Sequence, residues 1–206
     1  MVNLHIFHSV SAKELLSEAS VPSEASGLGV YFHVYPDPAP TRTVSRPFYI
    51  GISDNMAGRN REHLENYRKK NYWMVKNPHR LTDLRCFVDD AFYSTYDFYA
   101  PGRDAACKEW DQAVERLFNH MTILFGKVTL LKDGAPVEQS PEAARRTVEQ
   151  VERQLQDNMA LRLNLDPSWI DRTGSNRGGG LDDVVHRISL SYTKGVCVWL
   201  DERILL

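Results

Sequence analysis

The sequence predicts an α+β (α/β) protein: a small, mainly antiparallel three-stranded sheet flanked by helices. Three observations carry this. Residues 29–35 and 47–52 are β-rich stretches joined by a proline-studded connector, the pattern of two strands paired across an enlarged hairpin loop. Residues 127–131, Lys-Val-Thr-Leu-Leu, form a third β-rich run, stopped by Asp133-Gly134. Residues 56–68, 104–124 and 141–160 carry helix caps or apolar stripes at helical spacing.

The elements follow in chain order. Leu4-His5-Ile6-Phe7 is a short strand candidate, and Ser11-Ala12-Lys13-Glu14 before Leu15-Leu16 has the form of a capping box. Pro22 to Gly27 then breaks the chain, so residues 1–26 are expected to be an N-terminal arm. Pro36, Pro38, Pro40 and Pro47 assign 36–46 to a loop. Asp54 and Asn55 are good N-caps for a helix over 56–68. Ala106, Trp110, Ala113, Leu117 and Met121 form the stripe of the helix over 104–124. Ser140 caps, and Pro141 opens, the long helix that follows. Residues 172–180 are a glycine-rich loop, and 195–200 a final strand.

Composition sets the class. At 206 residues, with 42% apolar and 25% charged residues, the chain has the balance of a globular domain. The net charge of −2 gives no global positive field, so a nucleic-acid partner must be met by a local patch. Cys86, Cys107 and Cys197 form no metal-ligand spacing and are expected to be free thiols. No leader-like segment opens the sequence and no apolar run is long enough to span a bilayer. A cytoplasmic protein with no membrane partner is expected.

Glu152 is the physical anomaly. It falls inside the apolar stripe Val148, Val151, Leu155, Met159, where a carboxylate costs desolvation unless it is paired or binds a metal. On this residue alone, a core-edge ion pair with an arginine or a side chain that snorkels out is the favoured explanation. Tyr31 and Tyr49 sit one in each hairpin strand, where aromatics belong in any case. Arg59 and His63 lie at i and i+4 on the following helix, an arrangement that a solvated surface pair shares.

Taken together, these residues resemble the GIY-YIG nuclease superfamily. Gly29-Val30-Tyr31 stands for the first motif and Tyr49-Ile50-Gly51 is the second verbatim. Arg59 falls ten positions after Tyr49, where the family places its catalytic arginine, and His63 fits the Arg-x-x-x-His variant. Glu152, with Leu155 and Met159 after it, resembles the family's metal-binding helix, and Asn164 falls where a late asparagine lies near the site. Departures are Val30 for isoleucine, Gln156 where the family has an apolar residue, and a long spacing between the tyrosines. A helical insertion at about 69–125 also stands where compact members have a short link. That insertion leaves Glu109 as a rival metal ligand. The resemblance implies a nuclease domain over 27–171, with 172–206 as a C-terminal loop and strand extension.

The resemblance further implies a metal-dependent DNA endonuclease leaving 5′-phosphate and 3′-hydroxyl ends. Glu152 would hold Mg²⁺ or Mn²⁺, and Arg59 would stabilise charge on the phosphate. Tyr31, its pKa lowered by Arg59, would activate water. Tyr49 would assist, and His63 would contact the phosphate or shuttle a proton. Asn164 completes the expected site. Arg61, Arg68, Lys69, Lys70, Lys76 and Arg80, interleaved with Tyr67, Tyr72 and Trp73, are the expected DNA contacts. The alternatives are a nucleic-acid-binding module without turnover, and a protein-interaction domain using the aromatic insert.

Overall fold

The computed structural model describes residues 1–17, 21–35, 44–45, 47–71, 74–75, 92–93, 103–163, 185–196 and 198–205. Asn164, Lys76, Arg80, Tyr72, Trp73, the 172–180 loop, Cys86, Cys197 and the Cys107 side chain lie outside them.

The described elements run β1 (Val2–Ser11), α1 (Ala12–Leu16), a 3-10 turn (Ser23–Ser26), β2 (Gly29–Val34), β3 (Val44–Ser45), β4 (Pro47–Ser53) and α2 (Met56–Arg68). They continue with β5 (Met74–Val75), β6 (Phe92–Tyr93), α3 (Arg103–His120), β7 (Thr122–Lys132), β8 (Ala135–Pro136) and α4 (Pro141–Leu163). β9 (Ile188–Tyr192), β10 (Trp199–Leu200) and a 3-10 turn (Glu202–Leu205) end the chain.

The class is α+β, and the sheet is larger than expected. Six strands join in the order β4-β2-β7-β1-β9, with β8 folded back on β7. Strands β4, β2 and β7 pair antiparallel, as the hairpin reading requires. β1 then pairs antiparallel with β7, and β9 lies parallel to β1, so the sheet is mixed. The expected N-terminal arm is therefore an interior strand. Val2, Leu4 and Ile6 alternate inward and are fully buried, which fixes the strand's register by period two. The C-terminal extension likewise supplies a sheet strand, β9, ahead of the expected one. Trp199 and Leu200 form only a two-residue ladder with β3, inside the segment expected to be loop.

The third strand starts earlier than expected. α3 stops at His120, and Thr122-Ile123-Leu124-Phe125 already belong to β7. Thr122 and Ile123 are β-branched and suit a sheet better than a helix end.

Helices cover both faces. On one face α1, α2 and α3 pack through Leu15, Met56, Ala57, Leu64, Trp110, Leu117 and Phe118 against Tyr31, Ile123 and Phe125. On the other, α4 lays Val148, Val151, Leu155 and Met159 on Val30, Phe32, Ile50 and Leu124. The caps read from the sequence are present. Ser11 and Glu14 form a reciprocal capping box, and Asn55 accepts from the Gly58 amide at 3.0 Å. Gly29 lets β2 approach its neighbours, since a Cβ there would lie 2.5 Å from the Gly126 carbonyl oxygen and 2.8 Å from the Met56 methyl. Arg145 ties the start of α4 to the β4–α2 corner, donating to both Asp54 oxygens at 2.7 and 2.8 Å. Among the described residues no helix is long and apolar enough to cross a membrane.

Candidate active site

Two phenols converge on one imidazole. Tyr31 Oη lies 2.9 Å from His63 Nε2, and Tyr49 Oη lies 3.4 Å from the same nitrogen. The strands and α2 impose this. Tyr31 pairs with Gly51, and His33 with Tyr49, across β2 and β4, so all four positions share one sheet face. The Tyr31 ring lies over Gly51, where a Cβ would sit 2.5 Å from Tyr31 Oη and 2.9 Å from Tyr49 Cε1. The glycine of Tyr49-Ile50-Gly51 is thus required by the ring of Tyr31.

His33, not singled out in the sequence, is the fourth ring of the cluster. It stacks on Tyr49 with centroids 4.9 Å apart and meets His63 edge-on at 5.7 Å. Its Nε2 lies 2.6 Å from Asn60 Oδ1, while Asn60 Nδ2 donates to the Met56 carbonyl at 2.7 Å. With the asparagine oriented by Met56, His33 Nε2 carries the proton. His33 Nδ1 has no hydrogen-bond partner among the described residues. The signal available in the sequence was spacing: i+2 from Tyr31 on a strand, and Asn60 three before His63 on a helix.

Burial dominates the electrostatics. Desolvation lowers His63 to about 3, with His33 and Arg59 adding to the effect, and lowers His33 to about 4 against the Asn60 bond. Both imidazoles are neutral at pH 7. Tyr31 is raised well above the ordinary phenol range by burial, then by Tyr49 and Glu152. Arg59 acts in the expected direction on Tyr31 but is outweighed. The reason is depth: Tyr31 is 1% exposed and His63 4%, and the charged form of a phenol is penalised there. Tyr49 and Arg59 are partly exposed.

Glu152 sits on α4, which packs on the edge strand β4. Its carboxyl is partly buried and raised to about 7 by desolvation and by Glu149 one turn earlier. Its charge acts on Tyr31, as does that of Arg59, although α4 covers the sheet face opposite the helices that pack on Tyr31. Glu109 is exposed on α3. Gln156, one turn after Glu152, donates to the Ile50 carbonyl at 3.1 Å. Asn158, on the same helix, donates to the Ile204 carbonyl at 3.0 Å.

A hard divalent ion fits this donor set. Glu152 is an anion made costly by burial and by a like charge, the situation a cation relieves. Among the described residues no group of three or more His, Cys, Asp or Glu is clustered to hold an ion; an ion held by Glu152 would take waters and substrate oxygens into its shell.

The expected DNA-contacting cations of α2 have intramolecular roles. Arg59 pairs with Glu62 at 2.6 Å. Arg61 Nε donates to the Leu15 carbonyl of α1 at 3.2 Å. Arg68 pairs with Glu65 and lies over the Phe118 ring. Lys70 pairs with Asp111 at 3.4 Å, and Lys69 is the exposed C-cap. Tyr67 packs against the core rather than standing out as a stacking platform.

No family model, no curated protein and no solved structure matches the chain.

Proposed function

We propose that the protein is a divalent-metal-dependent phosphodiesterase acting on DNA, a nuclease of the GIY-YIG kind that its motifs resemble. The observation that carries this is the convergence of Tyr31 and Tyr49 on His63 Nε2, in a site where Arg59 and Glu152 both act on Tyr31. Tyr31, Tyr49 and His63, far apart in sequence, meet at one place, and Arg59 and Glu152 add the charged types that phosphodiester hydrolysis needs.

The chain's own residues divide the work. His63 is neutral at pH 7, its pKa pushed down to about 3 by burial, so it serves as a hydrogen-bonding partner that fixes the two phenols and not as the base. Tyr49 is the phenol with exposed surface. It lines up the attacking water, whose proton leaves to bulk solvent on the exposed side of Tyr49. Tyr31 lies behind, holding His63 in place by its 2.9 Å contact. This shifts the water-facing role from Tyr31, the sequence expectation, to Tyr49. Arg59, on the partly exposed side, supplies the fixed cation for charge developing on the phosphate. Glu152 would hold Mg²⁺ or Mn²⁺, which when bound polarises phosphate oxygens and eases departure of the leaving oxygen. The ends left are 5′-phosphate and 3′-hydroxyl. The test is cleavage of plasmid DNA with Mg²⁺. Tyr49→Phe is expected to lose about 10²–10⁴-fold and Tyr31→Phe less; equal activity of both variants and wild type would remove the phenols from the mechanism.

The depth of Tyr31 and His63 favours a second reading, a nucleic-acid-binding module without turnover. Binding that weakens steeply with salt, with no cleavage in either Mg²⁺ or Mn²⁺, would decide for it.

A further inference from the structure

Gln156 is a polar residue on the wrong face of its helix. It lies on the stripe that α4 lays against the sheet, beside Leu155, and is 4% exposed. An amide in that place costs free energy unless its hydrogen bonds are met. The apolar residue that the motif pattern calls for at this position would carry no such cost.

Its amide nitrogen has two acceptors. Nε2 lies 3.1 Å from the Ile50 carbonyl oxygen and 3.4 Å from Glu152 Oε1. The first acceptor belongs to β4, the edge strand of the sheet, where a carbonyl facing outward needs a donor from outside the ladder. Ile50 stands between Tyr49 and Gly51, the two residues on which the phenol cluster rests. The second acceptor is the carboxylate one helical turn back. One NH₂ group thus joins the backbone of the tyrosine strand to the acidic side chain of α4.

We propose that Gln156 is a positioning residue for the cation site: it engages Oε1 of Glu152, fixes the carboxylate relative to the Tyr49 strand, and leaves Oε2 as the oxygen offered to a divalent ion. The proposal rests on the reading of Glu152 as the metal ligand. It explains why a donor occupies a place where an apolar side chain packs better. A carboxylate whose rotamer is already set loses less freedom on binding an ion. Outer partners of this kind are worth about 10–100-fold in metal affinity.

The probe is Mn²⁺, with binding to the full chain read from the electron paramagnetic resonance of the free ion. Gln156→Met keeps the side chain's length and apolar volume and removes the donor; Gln156→Leu is the second variant, should the first not fold. The folded variant is expected to bind Mn²⁺ about 10-fold more weakly while its metal-free affinity for DNA is unchanged, a split that a loss of packing alone does not produce. In the wild type, the Gln156 side-chain NH₂ resonances are expected to shift on titration with Mg²⁺ at the midpoint of ion binding. Glu152→Gln separates the two levels of the argument. Weaker Mn²⁺ binding in Glu152→Gln but wild-type binding in Gln156→Met and Gln156→Leu, with no Mg²⁺ response of the NH₂ group, overturns the role of Gln156 alone. Wild-type binding in Glu152→Gln overturns both that role and the assignment of the ligand.

Discussion

Glu152→Gln is expected to make the metal-free protein more stable at pH 8 and to abolish its activity. The carboxyl is raised from 4.5 to about 7 by burial and by Glu149, so the folded state holds its proton more tightly than the unfolded chain does. The sign follows. Below about pH 4.5 both states are protonated and the carboxyl costs nothing. Between 4.5 and 7 the unfolded chain ionises first, and stability falls. Above 7 the full cost stands. At about 1.4 kcal/mol per pKa unit, the upper bound is about 3 kcal/mol. Glutamine has the same shape, does not ionise, and escapes that cost. For a chain of this size a gain of 2–3 kcal/mol is worth about 5–10 °C in Tm. The assay is a pair of circular-dichroism melts with EDTA, at pH 5 and at pH 8, for wild type and variant. The advantage of the variant should be large at pH 8 and small at pH 5. Adding Mg²⁺ at pH 8 should raise the wild-type Tm and leave the variant's unchanged, since only a chain that binds the ion is stabilised by mass action. A variant equal to or less stable than wild type at pH 8 would refute the reasoning, because it would mean that the folded protein does not pay for this charge.

Gly51→Ala should cost about 1–3 kcal/mol, the range for overpacking, because the new Cβ would meet Tyr31 Oη at 2.5 Å; urea unfolding measures it, and a neutral result would mean that Tyr31 moves aside freely. His33 and His63 are held neutral to about 4 and about 3, so the unfolded chain takes up protons first and stability should fall as pH drops from about 6.5 toward 4. His63→Gln should flatten that limb, as followed by melts across the window. Arg61→Ala should lower stability by about 1 kcal/mol through the lost contact with the Leu15 carbonyl and leave the salt dependence of DNA binding as it is; a reduced salt slope would instead return Arg61 to the DNA interface.

The parts of the fold legible in the sequence are those set by local chemistry. The Tyr31 and Tyr49 strands were readable as β-rich runs on either side of a proline-studded connector, and the start of α2 from its N-cap Asn55. Ser140-Pro141 and the stripe from Val148 to Met159 announced α4. What stayed hidden depends on partners distant in the chain. Val2, Leu4 and Ile6 alternate in plain view, yet nothing local says that their partners are Leu130, Val128 and Gly126, or that β9 would add in parallel on the other side. At the candidate site the motif residues were legible one by one. Their electrostatics were not, because burial is a property of the layers that close over Tyr31 and His63. That is why a phenol expected to be acidified by Arg59 is instead held protonated. His33 and Asn60 were missed, and Gln156 was read only as a departure from the motif, for the same reason: a buried polar side chain is conspicuous only when its acceptor is known.

The central claim is that Tyr49, Arg59, His63 and Glu152 form one phosphodiesterase site. Supercoiled plasmid incubated with the purified chain in Mg²⁺, with the new ends tested for 5′-phosphate by ligation, puts it most directly to trial. The account predicts nicked and linear DNA with ligatable ends, falling at least about 100-fold in Arg59→Ala and Glu152→Gln. Intact plasmid in both Mg²⁺ and Mn²⁺, or cleavage undiminished in the two variants, would contradict it.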